Sequence, residues 1–517
     1  MYPGHYARIT PDKPATINAG TGKIVTYSQL NDRSNQLAQL FFDRGLRRGD
    51  HVAIFMENHL SYFDVVWAAL RSGIFLTTVN RYLTAAEAGY IVNDCGAAVL
   101  VSSRALEEVA QHIPSLAPNC RNLLMVGGPS DGASPFEDYH AAVAPYPTDA
   151  LAEEPAGEFM LYSSGTTGQP KGILMELSDR PASEGVIFTQ PLKHVFGFDE
   201  NSIYLSPAPL YHSSPIAWTT ATHSLGGTVV MMDKFDPLEA LQAIETYGVT
   251  GSQWVPTMFS RMLKLPAQSR AQFDLSTHKM AVHAAAPCPV KVKHQMMDWW
   301  GPILHEFYAG TDTDGMTYIG PQDWLEHPGS VGRPAGGGIH ICNEKGEELP
   351  AGESGLIYFE SSRDSTVNYH NAPEKSREAR HPEHPKWMAP GDIGHVDNEG
   401  YLYLTDRASF MIISGGVNIY PQEIEDELIM HPSVEDVAVF GVPNTEFGEE
   451  VKAVIQTAVG VKGNAALVEE LNEFAREHLA AYKCPRSIDF ESELPRLPTG
   501  KLYKRLLKDR YWQKDSG

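Results

Sequence analysis

The stretch LYSSGTTGQPKGI, residues 161–173, crowds small hydrogen-bonding residues into one turn between apolar ends. Ser163, Ser164, Thr166 and Thr167 offer hydroxyl donors, Gly165 and Gly168 let backbone N–H groups turn toward an anion, and Lys171 adds a point charge. Together they suit the β and γ phosphates of a nucleotide. The loop is not a Walker loop, which requires Gly where Pro170 stands. Further groups of chemically able residues follow along the chain: HEFYAGTDTDG (305–315), Asp392 and Arg407 in APGDIGHVDNEGYLYLTDR, the Gly415–Gly416 pair, and Lys501 in a Pro-Thr-Gly turn.

The elements that must position these groups read as alternating helices and strands. Thr26 with Gln29 fits a capping box, and Leu30, Leu37 and Phe41 fall on one helical face. Gly45 stops that helix, Gly49-Asp50 turns into the apolar strand VAIF, and an apolar helix around DVVWAALRSG follows. This βα alternation predicts an open, mostly parallel sheet with helices on its faces. Residues 126–158 read as a loop-rich connection, and 330–406 as a small β subdomain of short strands and Gly-rich turns. After Arg407, PQEIEDELIMH and ALVEELNEFAREHLAAY look helical, and VEDVAVFGV and EVKAVIQT look like strands. The expected fold class is therefore α/β. A large N-terminal domain, 1–407, holds βα-layered subdomains and the β subdomain. A small, mobile α+β domain, 408–517, carries Lys501.

Composition narrows the partners. Asp plus Glu outnumber Lys plus Arg by 64 to 41, a formal charge of −23, which repels nucleic acid and anionic membrane. No apolar run approaches the ~20 residues of a membrane span. The five cysteines (Cys95, Cys120, Cys288, Cys342, Cys484) are scattered and lack CxxC spacing, which argues for a reducing compartment and against a disulfide framework or zinc site. The N-terminus lacks the apolar core of a signal peptide. A cytoplasmic protein is expected.

The string YSSGTTGQPKG closely resembles the phosphate-binding signature of the adenylate-forming superfamily, which includes acyl-CoA synthetases, aryl-CoA ligases and adenylation domains. The resemblance extends, with several motifs in the family's order, from VTYSQLNDRSNQLAQLFFDRGLRRGDHVAIFMEN to the C-terminus. It implies that Tyr308 stacks on adenine, that Thr311 meets the α-phosphate and that Asp312 helps hold Mg²⁺. Asp312 stands where the family usually has Glu. Asp392 and Arg407 would hold the ribose hydroxyls, with Pro390 replacing the family's Thr. Ser409 matches the hinge, where Asp or Lys is more frequent, and Gly415 and Gly416 would let pantetheine pass near the backbone. Lys501 matches the lysine that reaches the forming acyl phosphate.

By the same resemblance the reaction is attack of a carboxylate on the α-phosphorus of ATP, giving acyl-AMP, followed by displacement of AMP by the thiol of CoA. PLYHSSP (209–215) and HAAAPCP (283–289) match acyl-site segments. Tyr211 and His212 stand where amino-acid-activating domains usually have a nearby Asp, and His212 either gates the pocket, contacts the carboxylate or only packs. Ala284, Ala285 and Gly310 leave room for a ring or an extended chain; Trp218 and Trp254 belong either to its lining or to the core. With no clear basic residue for a second carboxylate, the expected substrate is a hydrophobic monocarboxylic acid, fatty or aryl. The expected function is an AMP-forming acid–CoA ligase using Mg²⁺, ATP and CoA, without nucleic acid or stable membrane insertion; a homodimer is compatible with it. The alternatives are an acyl-adenylate former that loads a carrier protein and a catalytically decayed nucleotide-binding protein.

Overall fold

The computed structural model describes the chain apart from residues 131, 133, 163–169, 311–314, 362–367, 408–409, 415–416, 445–446, 496–501, 503 and 515–517, and apart from the side chains of Asp406, Arg407, Asn418, Gln513 and Lys514. Local sequence signals act where they were expected. Thr26 and Gln29 form a reciprocal capping box at the start of helix Tyr27–Asp43, and Leu30, Leu37 and Phe41 are fully buried along it. The apolar helix Tyr62–Leu70 is buried on every side, as its lack of a polar face demands.

Strand pairing divides the molecule into layers. A six-stranded sheet, all parallel, runs in the order Glu137–Asp138, Asn122–Val126, Ala97–Ser103, His51–Phe55, Phe75–Thr78, Glu158–Phe159. A larger sheet has a run of parallel strands that ends Gly251–Trp254, Met280–His283, Leu304–Ala309. The short strands of 330–406 do form an antiparallel set, yet they are not separate. Ser330–Pro334 pairs with Met316–Ile319 on one side and Leu402–Arg407 on the other, joining both regions into one continuous sheet. This join brings the end of Leu304–Ala309 close to the hairpin that starts at Asp392.

A third, three-stranded sheet consists of Leu161–Tyr162, Gly172–Leu174 and Asn368–Tyr369. The fourth holds five strands between Ile412 and Glu491, over which helices Pro421–Leu428 and Ala465–His478 pack with their own core of Ile424, Leu428, Val439, Ile455 and Leu471. The structure is thus mixed α/β, with a large N-terminal and a small C-terminal domain. Among the described residues no helix is long and apolar enough to cross a membrane.

Candidate active site

The phosphate-loop residues Ser163, Ser164, Gly165, Thr166, Thr167 and Gly168 lie outside the described residues, but their stem does not. Leu161–Tyr162 and Gly172–Leu174 pair antiparallel, Tyr162 opposite Gly172 and Leu161 opposite Ile173, so the two ends of the loop are held side by side. The Tyr162 hydroxyl donates to Asp94 at 2.6 Å, and that of Tyr90 to the Pro170 carbonyl at 3.4 Å. Lys171 leaves this stem with its Nζ 4.6 Å over the ring of Tyr369, a cation–π contact that keeps the ammonium at the base of the loop.

The antiparallel strands Asp392–Val396 and Leu402–Arg407 set Asp392 directly opposite Arg407. The hairpin pattern read between them is thereby the device that joins residues 15 positions apart. Asp392 is buried, and the Tyr308 hydroxyl donates to it at 2.6 Å. Tyr308 comes from strand Leu304–Ala309, 84 residues away in sequence, and its ring rests against Phe359 at 5.6 Å. An aromatic face, a carboxylate and the backbone of an arginine therefore converge on interior strands of the large sheet.

Beside Tyr308, Gly310 is partly exposed, while Thr311 and Asp312 lie outside the described residues. Among the described residues no group of three or more His, Cys, Asp or Glu side chains is placed to hold a metal ion. The neighbouring parallel strand, Met280–His283, leads into Ala284, which is buried, and Ala285, which is exposed and takes φ 74°. That left-handed conformation in a residue with a Cβ is a strained turn.

Tyr211 and His212 precede helix Ser213–Leu225, with His212 at its N-cap. Tyr211 is buried, its carbonyl accepts from Thr78 Oγ1 at 2.8 Å and its ring lies 4.2 Å from that of His212. Trp218 and Trp254 are both 1% exposed, which settles them as core. The hinge position Ser409, the pair Gly415 and Gly416, and Lys501 lie outside the described residues. The neighbours of the glycine pair are described: Ser414 pairs with Val417, so a hairpin precedes helix Pro421–Leu428.

Sequence reasoning passed over one further group. Lys293, on helix Val290–Trp300, is fully buried and donates to Glu306 at 2.6 Å, with its Nζ 4.5 Å over the ring of Trp324. His283 Nε2 stands 3.4 Å from the same carboxylate oxygen. Burial, then Lys293, hold that imidazole well below the usual histidine range, so the charged pair is Lys293 with Glu306. Burial raises the Glu306 carboxyl against the opposing effect of Lys293. The signal was present: Lys293 shares a helical face with the buried Met296 and Met297, an unusual place for an unpaired ammonium.

Residues 5–364 match the profile of the AMP-binding enzyme family, and residues 423–501 that of the AMP-binding enzyme C-terminal domain. The first match alone covers more than half of the chain, which therefore belongs to the AMP-binding enzymes and, with them, to the adenylate-forming superfamily. Among individual proteins it is 31% identical to a feruloyl-CoA synthase of Amycolatopsis sp, over 99% of this chain and 98% of that one. It is 29% identical to the fatty acid–acyl-carrier-protein ligase ScoC of Streptomyces coeruleorubidus, over 98% and 95%. The crystal structure of the anthranilate CoA ligase AuaEII in complex with anthranoyl-AMP shares the fold, with a TM-score of 0.83 over 100% of this chain and 97% of that one at 24% identity.

Proposed function

We propose that the protein is an AMP-forming carboxylate–CoA ligase that activates a hydrophobic monocarboxylic acid. The observation that carries this reading is the hydrogen bond from Tyr308 to Asp392, opposite Arg407 in the hairpin. A nucleoside needs a flat surface for its base beside charged groups for its ribose hydroxyls, and these three residues supply both. Lys171, at the base of the 163–169 loop, would meet the departing phosphates.

In the first half-reaction a carboxylate oxygen bonds to the α-phosphorus of ATP, the bond to the bridging oxygen breaks, and pyrophosphate leaves. Carboxylate and triphosphate repel, so cations must stand where charge accumulates. Lys501 is assigned to the carboxylate and α-phosphate, with Thr311 beside it. A bound Mg²⁺ would neutralise phosphate charge, and Asp312 is its assigned ligand. In the second half-reaction the thiol sulfur of CoA bonds to the acyl carbon, its proton is lost and AMP leaves. Tyr211, His212, Ala284, Ala285 and Gly310 are assigned to the acyl side, and Gly415 and Gly416 to the pantetheine. The division between domains is placed after Arg407, with Ser409 as the pivot that exchanges Lys501 for the thiol path.

The test is pyrophosphate release from ATP and Mg²⁺ across a panel of carboxylic acids, with and without CoA. Sustained release that consumes thiol only when CoA is present supports the proposal. A single burst that CoA cannot relieve points to a carrier-protein acceptor, the activity that ScoC's name describes for that relative. ATP binding with no release on any acid overturns it.

A further inference from the structure

Residues 163–169, SSGTTGQ, contain no apolar side chain that could be sunk into a core, so their alignment rests on the two ends of the loop. Both ends are tied to one helix. Helix Ala85–Asp94 starts with a reciprocal capping box between Thr84 and Glu87 and is seated in the core through Ala88, Ile91 and Val92. Tyr90 and Asp94, four residues apart in it, share a face. From that face the Tyr90 hydroxyl reaches the Pro170 carbonyl, after the loop, and the Asp94 carboxylate accepts from Tyr162, before it.

Asp94 also holds the far side of the three-stranded sheet. Its backbone carbonyl accepts from His370 Nε2 at 3.0 Å, and Asn371 Nδ2 stands 3.5 Å from its other carboxylate oxygen. The His370 N–H donates to the Gly172 carbonyl at 2.8 Å, and the residue before it is Tyr369, whose ring carries the Lys171 ammonium. The chain turns there through Asn371 at φ 53°, a left-handed conformation that Asn tolerates better than most residues. On the near side the Tyr162 ring lies over Gly172, where a Cβ would stand 3.0 Å from the ring carbon that bears the hydroxyl. An acidic side chain on the last residue of a helix faces the negative end of the helix dipole, so local helix physics disfavours Asp94 where it is. The hydrogen-bond donors to its carboxylate, Tyr162 and Asn371, come from the stem sheet and the turn that follows it.

We propose that Asp94 is a positioning residue for the triphosphate: through Tyr162 on one flank and His370 on the other, it keeps the phosphate loop and Lys171 in register with each other. Such a role presupposes the ATP-dependent function proposed above. It concerns the β and γ phosphates, so ATP feels it and AMP, which lacks them, does not.

The test measures, by titration calorimetry with Mg²⁺ present, the affinities for ATP and for AMP of the wild type, Tyr162→Phe, Asp94→Ala, Asp94→Asn and the double variant Tyr162→Phe/Asp94→Ala. Tyr162→Phe and Asp94→Ala should each weaken ATP about ten-fold and leave AMP unchanged, since each removes a hydrogen bond to a charged group. Asp94→Asn keeps an oxygen that accepts from Tyr162 and should recover most of the loss. The double variant should be no weaker than the worse single one, because both changes break the same link. In kinetics, KM for ATP should rise in pyrophosphate release, while acyl transfer to CoA from supplied acyl-AMP keeps its rate. Should Asp94→Ala fail to fold, Tyr162→Phe, which keeps the ring over Gly172, carries the test with Asp94→Asn. ATP affinity unchanged in Tyr162→Phe overturns the proposal, and so does equal weakening of ATP and AMP, which a merely structural role would give. If ATP binding shifts as expected but no acid elicits pyrophosphate release from the wild type, the positioning role stands and the ligase function falls. A folded wild type that does not bind ATP overturns both.

Discussion

Strand Leu304–Ala309 has two different faces. On one, Glu306 and Tyr308 meet charged and polar partners: Lys293 for the first, Asp392 for the second. On the other, His305 and Phe307 meet rings: Tyr318, which hydrogen-bonds His305 at 2.7 Å, and Trp218. Alternation along a strand makes this division automatic once the strand is placed at the centre of a sheet. It allows six consecutive residues to meet polar partners on one face and rings on the other. The buried ion pair lies on the first face, and the second is aromatic.

The largest effect should come from breaking the polar face at its anchor. Lys293→Met leaves the Glu306 carboxylate buried without its partner and should destabilise the fold by about 3–5 kcal/mol in urea unfolding. Adding Glu306→Gln should recover part of the loss, as a coupled pair requires. Equal stability of the single mutant and the wild type would mean that the pair does not hold the strand.

The chemical role assigned to cations on the nucleotide side predicts the next effect. Lys501→Ala should slow adenylation by roughly 10²–10³-fold while acyl transfer to CoA from supplied acyl-AMP keeps its rate. Equal losses in both half-reactions would remove Lys501 from the adenylation step.

The aromatic face has a pH signature of its own. Burial, with Lys293 second, lowers His305 from 6.5 to about 4. The unfolded chain then binds a proton that the folded one refuses between those values, so stability is full above pH 6.5 and falls as pH drops toward 4. The loss from this group should reach roughly 3 kcal/mol at most. Buried His223 and His278, each lowered to about 3, and His51, to about 4, act in the same direction. Asp64 opposes them: burial raises it to about 7, which withdraws stability as pH rises from its unfolded value. Thermal unfolding between pH 4 and 8 should show net acid lability, and His305→Gln should flatten the curve.

The smallest effect isolates the contact that carries the functional proposal. Tyr308→Phe keeps the ring and removes the donor to Asp392, so KM for ATP should rise about three- to ten-fold with kcat little changed. A change in kcat alone would point to a role in the chemical step instead.

Most elements were legible because their causes are local. The capping box at Thr26, the buried stripe of Leu30, Leu37 and Phe41, and the hairpin between Asp392 and Arg407 follow from residues within one or two turns of each other. The β-rich stretch 330–406 was legible as strands but not as a continuation of the parallel sheet, since pairing across Ser330–Pro334 depends on which edge is free after folding. Trp218 and Trp254 read equally well as lining or core, because an aromatic side chain has the same chemistry in both settings and only its neighbours distinguish them.

By itself the sequence determined the set of chemical groups this protein owns, namely a hydroxyl- and glycine-rich loop, an aromatic residue, an aspartate and arginine, and a terminal lysine, together with the α/β alternation able to carry them. Those depend on residue type and short-range spacing. Only the tertiary structure decided that Tyr308 reaches Asp392 across 84 residues, that Lys293 is paired with Glu306, and that Trp218 packs among rings of the core. These contacts are between elements distant in the chain, set by how sheets and helices pack, and no local pattern encodes the distance between two surfaces that meet only when the whole core is formed.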